Sequence, residues 1–163
     1  IRLLKRFLTM KSLAVLLVLL GWSSAVAANE ACDECTILNC TDQVDECNDA
    51  DNVSGPANAC AMVASCVHAA WEASYLTGAV SSCAEGNSVA CYCGDVSWND
   101  CWSGCANGMC AQVVEQYSDC NGSPNIPLCV WSRFYDLDYG LGDAFSLLSC
   151  QRDICFDECG LEP

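Results

Sequence analysis

Seventeen of the 163 residues are cysteine, and that count limits the fold before any periodicity is read. They stand at Cys32, Cys35, Cys40, Cys47, Cys60, Cys66, Cys83, Cys91, Cys93, Cys101, Cys105, Cys110, Cys120, Cys129, Cys150, Cys155 and Cys159. Each oxidised pair removes freedom from the unfolded chain, typically ~2–4 kcal/mol of stabilisation. Between these positions leucine, isoleucine, valine and phenylalanine are sparse while alanine is abundant, so the crosslinks must supply what apolar burial does not. An odd count leaves one cysteine over, which implies a free thiol, a bound small thiol or a disulfide-linked dimer. Eight bridges and one orphan are expected, with a connectivity that spacing alone does not determine.

Residues 1–27 read as a leader. Met10-Lys11, the apolar run Leu13 to Leu20 and the small-residue stretch Ser23 to Ala27 have the charged end, short apolar region and A-x-A site of a secretory signal peptide, with Met10 as the expected start. Cleavage after Ala27 leaves 136 residues, 28–163, read as a single domain. Removing Arg2, Lys5, Arg6 and Lys11 leaves two basic residues against 21 acids, a net charge of −19. Cysteine is then one residue in eight, above the ~8–10% that marks a disulfide scaffold in an exported chain. The expected location is extracellular or periplasmic, where oxidation persists.

The charge excludes classes of partner. Arg133 and Arg152 alone cannot supply the cations that displace counterions from a phosphate backbone, so no nucleic acid is expected. Anionic membrane faces are repelled in the same way, and no later apolar stretch approaches the ~20 residues of a bilayer span. The approach to Cys32, Asn29-Glu30-Ala31, is too polar for a lipoprotein signal. A cationic protein or a glycan is the expected class of partner.

Helical spacing dominates the organisation. Cys32, Cys35, Cys40, Val44 and Cys47 share one side of a wheel, predicting a helix over 30–48. Ser54 and Pro56 predict a second helix start, running to about Leu76 with Cys60, Val63, Ala64, Cys66, Val67, Ala70 and Trp71 inward, and Gly78 as its break. Val89-Ala90-Cys91-Tyr92-Cys93 reads as a short extended piece of an irregular loop, turning its two cysteines toward different elements. Helical spacing returns from Asp100 to Tyr117, with Cys101, Cys105, Met109, Cys110, Val113, Val114 and Tyr117 inward. A short helix opened by Pro127 follows over 126–135, then a turn at Tyr139 to Gly142. The last helix is expected from Asp143 to Cys159, with Leu147, Cys150, Ile154 and Cys155 inward. The fold class is mainly α: a disulfide-rich small secreted domain of roughly four or five short helices with an irregular Cys-x-Cys loop or short strand.

Few residues offer chemistry. Cys32-Asp33-Glu34-Cys35 has the C-x-x-C spacing of a thiol–disulfide oxidoreductase, but the enclosed carboxylates raise the thiol pKa that such catalysis must lower, and the pair reads as structural. Zinc or iron–sulfur ligation by Cys32, Cys35, Cys40 and Cys47 competes with oxidation after export. His68 is the sole histidine and sits mid-helix, no G-x-S-x-G occurs, and no catalytic residue or cofactor is assigned. Asp42, Asp45, Glu46, Asp49 and Asp51 are calcium candidates by charge density, although Val53 and Ser54 break EF-hand spacing; a solvated acidic face is the plainer reading. Trp98, Trp102, Trp131 and Tyr135, with Phe134 and Tyr139, could line a ligand groove or fill the core around the bridges.

Two resemblances follow from cysteine placement. Cys83 and Ser88-Val-Ala-Cys91-Tyr-Cys93 resemble the middle of the fungal CFEM domain, a small helical secreted fold that holds haem through an aspartate just before its C-x-C; Ser88 occupies that position here. Cys91-Tyr-Cys-Gly94, Ala106-Asn-Gly-Met-Cys110 and Cys150…Cys155…Cys159 resemble a group of cysteine-rich secreted proteins of myxobacteria, which implies the compartment and the helical fold but no activity. The expected function is therefore a secreted, non-enzymatic binding or surface-structural module. An extracellular carrier of calcium or a haem-like ligand is the alternative, and an oxidoreductase using Cys32 and Cys35 the third.

Overall fold

The computed structural model describes residues 30–49, 54–77, 83 and 87–159. The expected leader, Asp51 and the expected break at Gly78 lie outside the described residues. The elements are α1 (30–39), α2 (Thr41–Asn48), α3 (Ala59–Thr77), α4 (Ser88–Cys93), α5 (Trp98–Asp100) continuing into a π-helical turn (Cys101–Cys105), α6 (Ala111–Tyr117), α7 (Ile126–Arg133) and α8 (Gly140–Ile154). The only β-type pairing among the described residues is one bridge between Ser54 and Tyr139.

α3 is the central element. Cys60, Val63, Ala64, Val67, Ala70 and Trp71 are buried along one face, as the spacing predicts, and α8, α6 and α4 pack around it. Its start lies beyond Ser54, because Gly55 and Asn58 take left-handed φ values of 105° and 63° and the Ser54 N–H donates to the Asp138 carbonyl instead.

The helix expected over 30–48 is two helices. Cys40 leaves helical geometry at φ −117°, ψ 33°, beside two side chains that donate back to carbonyls four residues earlier, Asn39 to Cys35 and Thr41 to Ile37. The break lets α1 and α2 serve different neighbours. Cys32, Cys35 and Cys40 bridge to Cys159, Cys155 and Cys150, so α1 runs antiparallel to the C-terminal segment, while Cys47 turns to Cys60 on α3.

The remaining bridges are Cys66–Cys110, Cys83–Cys91, Cys93–Cys101 and Cys120–Cys129. Sixteen cysteines thus pair, and Cys105 is the odd one; its side chain lies outside the described set. Cys91 and Cys93 do serve different partners, yet their segment is helix, not strand. The Asn87 carboxamide accepts from the N–H groups of Val89 (3.0 Å) and Ala90 (3.1 Å), capping a six-residue helix too short to display its period. At its other end the carbonyls of Cys91, Tyr92 and Cys93 accept from the N–H groups of Cys110, Gly108 and Asn107, which satisfies groups a helix leaves open. Only glycine fits at Gly108, where a Cβ would strike the Cys91 carbonyl oxygen.

Two further expectations are corrected. Gly104, at φ 111°, stops the Asp100–Tyr117 helix after one π turn and leaves Met109 58% exposed. Gly140 and Gly142 open α8 instead of forming a turn before it: a Cβ on Gly140 would lie 2.8 Å from the Ala59 Cβ, and one on Gly142 would strike the Asp136 carbonyl. Close approach to Ala59 on α3 for Gly140, and to the Asp136 carbonyl for Gly142, explains these glycines better than chain reversal. Counted from this earlier start the inner face shifts, so Leu147 and Leu148 are buried while Ile154, expected inward, is exposed. Three helices meet through side chains as well: His68 Nε2 pairs with Gln151 Oε1 at 3.0 Å, and Gln151 Nε2 donates to Thr36 Oγ1 at 3.1 Å.

Asp143 is the buried charge of the fold, 1% exposed, with no hydrogen-bond partner at Oδ2 among the described residues. Burial, and secondly the Glu46 charge, push its carboxyl up from 3.8 to about 6. A raised folded-state value means that the native chain keeps this proton where the unfolded chain has lost it. Stability therefore falls as pH rises through the interval between those values and stays lower above it.

Two outcomes follow. Replacing Cys40 and Cys150 with alanine opens a bridge spanning 110 residues, and replacing Cys120 and Cys129 opens one spanning 9. Because Cys35–Cys155 still holds the same two segments together, the loop opened in the first variant is only about ten residues, so chain entropy puts both losses at about 2.5 kcal/mol, an equality that denaturant titration of the two variants checks. Asp143→Asn is expected to stabilise the protein at neutral pH by on the order of 1–3 kcal/mol and to give no advantage below the unfolded value, as read from melting temperatures across acid and neutral buffers.

Candidate functional site

The sequence candidates separate once placed. Cys32 and Cys35 are joined to Cys159 and Cys155, so the C-x-x-C forms no disulfide of its own. Asp42, Asp45, Glu46 and Asp49 stand exposed along and just beyond α2. Among the described residues no three His, Cys, Asp or Glu side chains form a group that could hold a metal ion. His68 is half-buried, pairs with Gln151 and lies 6.1 Å from the Trp71 ring, an arrangement that fixes α3 against α8.

The aromatic residues do converge. Trp102 lies 4.6 Å from Trp131 between ring centroids, Trp131 lies 4.8 Å from Tyr135, and Tyr135 lies 5.2 Å from Phe145. Phe145 reaches Phe134, Phe134 reaches Tyr92, and Tyr92 stacks on Trp102 at 5.7 Å, closing a circuit of six rings. Edge-to-face and tilted contacts at these separations are the favourable ones for ring quadrupoles. Four elements build the circuit: α4 gives Tyr92, the π turn gives Trp102, α7 and its C-terminal end give Trp131, Phe134 and Tyr135, and α8 gives Phe145.

The circuit is graded from core to solvent. Tyr92 and Phe134 are fully buried, Trp102, Trp131 and Phe145 are half-buried, and Tyr135 is 55% exposed. Leu128, 57% exposed, continues the outer side, because Leu128, Trp131 and Tyr135 follow one another at i, i+3 and i+7. On the inner side the Tyr92 hydroxyl donates to Glu115 Oε1 at 3.3 Å. Burial first, then the Glu115 charge and this bond, hold the Tyr92 phenol far above its ordinary range, so it stays a neutral donor.

Both described arginines are engaged within the chain. Arg152 pairs with Asp153 at 2.9 Å. Arg133, next to the outer rings, pairs with Asp136 at 3.6 Å and lays its guanidinium 3.5 Å from the Tyr139 ring centroid.

Of the predicted groove, the structure brings Trp102, Trp131 and Tyr135 together; the side chain of Trp98 lies outside the described set. Phe134 belongs to the buried half and Tyr139 to the Arg133 stack, so neither lines the outer face. Tyr92, Phe145 and Leu128 were not among the candidates. The i−3 relation to Trp131 was available for Leu128, whereas Tyr92 and Phe145 join only through long-range packing.

Core and surface roles are separable by substitution. Phe134→Ala is expected to cost about 3–5 kcal/mol by opening a cavity, and Tyr135→Ala less than about 1.5 kcal/mol, as measured by urea unfolding. No family model, curated protein or solved structure matches the chain, so its function is read from the geometry of this aromatic face.

Proposed function

We propose that the protein is a secreted binding module: a sulfur-crosslinked helical scaffold that carries a rigid aromatic contact face. The observation that carries this reading is the graded ring circuit, in which exposed Tyr135 stands on Trp131 and Phe145 and these rest on fully buried Phe134 and Tyr92. Aromatic side chains held by neighbours lose little conformational entropy on contact, which is why Tyr and Trp serve as interface anchors.

Secretion rests on the leader sequence and on the crosslinks. Eight bridges form and persist in an oxidising compartment, and no helix among the described residues is long and apolar enough to cross a membrane. The scaffold suits a module working outside the cell, because bridges of long sequence separation preserve the face where chaperones are absent.

The test is a peptide and oligosaccharide panel probed with the fully bridged protein and with a Trp131→Ala/Tyr135→Ala variant. Ligands that hold the parent protein should be lost by the variant while its circular dichroism and melting curve stay close to the parent's. If the variant binds the panel as the parent does, or the parent binds nothing, this face is not a contact surface and the reading fails.

A further inference from the structure

Resting on that reading of the aromatic face, we infer that its occupant is a cationic polypeptide segment, held by arginine or lysine side chains over Tyr135 and Trp131. The first support is charge complementarity. The sequence from residue 28 onward contains two cations and 21 carboxylates, and both cations are already paired internally. A partner that brings positive charge therefore meets a surface with no competing cation of its own, and long-range attraction favours its approach.

The second support is the way the chain treats its own arginine. Arg133 lies on the Tyr139 ring with the Asp136 carboxylate at its edge, two residues from Tyr135. An aromatic ring with a neighbouring carboxylate is thus a guanidinium holder within this very segment. Tyr135 offers the same chemistry to the outside: its ring is exposed, Asp136 and exposed Asp138 follow it in sequence, and it stands on the half-buried Trp131 ring. Leu128 and Leu137, each more than half exposed, supply apolar surface for the methylene stem of a long cationic side chain.

A glycan fits this surface less well. Neutral sugars gain nothing from the surrounding carboxylates and acidic ones are repelled by them, so the aromatic rings alone would have to hold the ligand.

Hexa-arginine and chitohexaose serve as probes, titrated into the fully bridged protein while tryptophan emission is followed at low and at physiological salt. Saturable binding of hexa-arginine is expected to persist at physiological salt. Tyr135→Ala should weaken it about tenfold, whereas a distant charge change, Asp33→Asn on α1, should leave it within about twofold. Tyr135→Phe, which keeps the ring, should bind as the parent does and separates ring loss from misfolding. Equal weakening by Tyr135→Ala and Asp33→Asn would show charge attraction without a site and overturn the inference. Chitohexaose binding that depends on Tyr135, with none for hexa-arginine, overturns the inference but keeps the aromatic face as a contact surface. Silence toward both probes removes the inference, and the panel described above then decides the wider reading.

Discussion

The bridges between α1 and the C-terminal segment are the constraint on which the rest depends. Cys32–Cys159, Cys35–Cys155 and Cys40–Cys150 tie the two ends of the described chain together in antiparallel register, closing spans of 127, 120 and 110 residues. Everything between is held in a loop whose ends cannot separate, and α3 is packed inside it against α8. The aliphatic interior is small, with Val63, Val67, Val89, Val114, Val130, Leu141, Leu147 and Leu148 shared among several helices. Such a core would leave little margin against chain entropy without covalent closure. Phe145 and the buried half of the ring circuit inherit their positions from this frame, since α8 is fixed at both ends, by Cys150 and Cys155 on one side and by the close approach of Gly140 to Ala59 on the other.

How much of this was legible depends on whether a local period or a distant contact decides each element. The α3 face was legible because seven inward residues repeat at helical spacing from Cys60 to Trp71. The break at Cys40 was not, since Cys32 to Cys47 remain on one side of an ideal wheel; which partner each sulfur meets, and not the period, bends the chain there. The Cys91–Cys93 segment misled for a related reason: a six-residue helix with five buried residues shows no polar face. Its signal was Asn87, a cap four residues before Cys91, which competed with nearby Gly86 and Gly94 in suggesting a loop. Gly140 and Gly142 carried the signature of a reversal, but tight packing against α3 and the Asp136 carbonyl selects the same residue type.

The outer face was partly legible. Trp131 and Tyr135 are one helical turn apart, so their common side could be read directly, and Trp102 belonged to the same candidate set. The inward gradient through Phe134 and Tyr92 could not be read, because those rings come from the C-terminal end of α7 and from α4, elements far apart in sequence that meet only through long-range packing. The acidic residues show the opposite case. Their density in sequence suggested ion coordination, yet Asp42, Asp45 and Glu46 stand exposed along one side of α2, and no group that could hold a metal ion is found among the described residues.

The separations of the bridges also impose an order on biosynthesis. A chain made from its N-terminus presents Cys47 and Cys60, then Cys83 with Cys91 and Cys93 with Cys101, each pair arriving close together and able to lock as it appears. The first three cysteines, at 32, 35 and 40, have no native partner until the final ten residues of the described chain arrive. Until then they are thiols beside a growing supply of wrong mates, so the closures that finish the molecule are also the ones most open to mispairing and slow reshuffling.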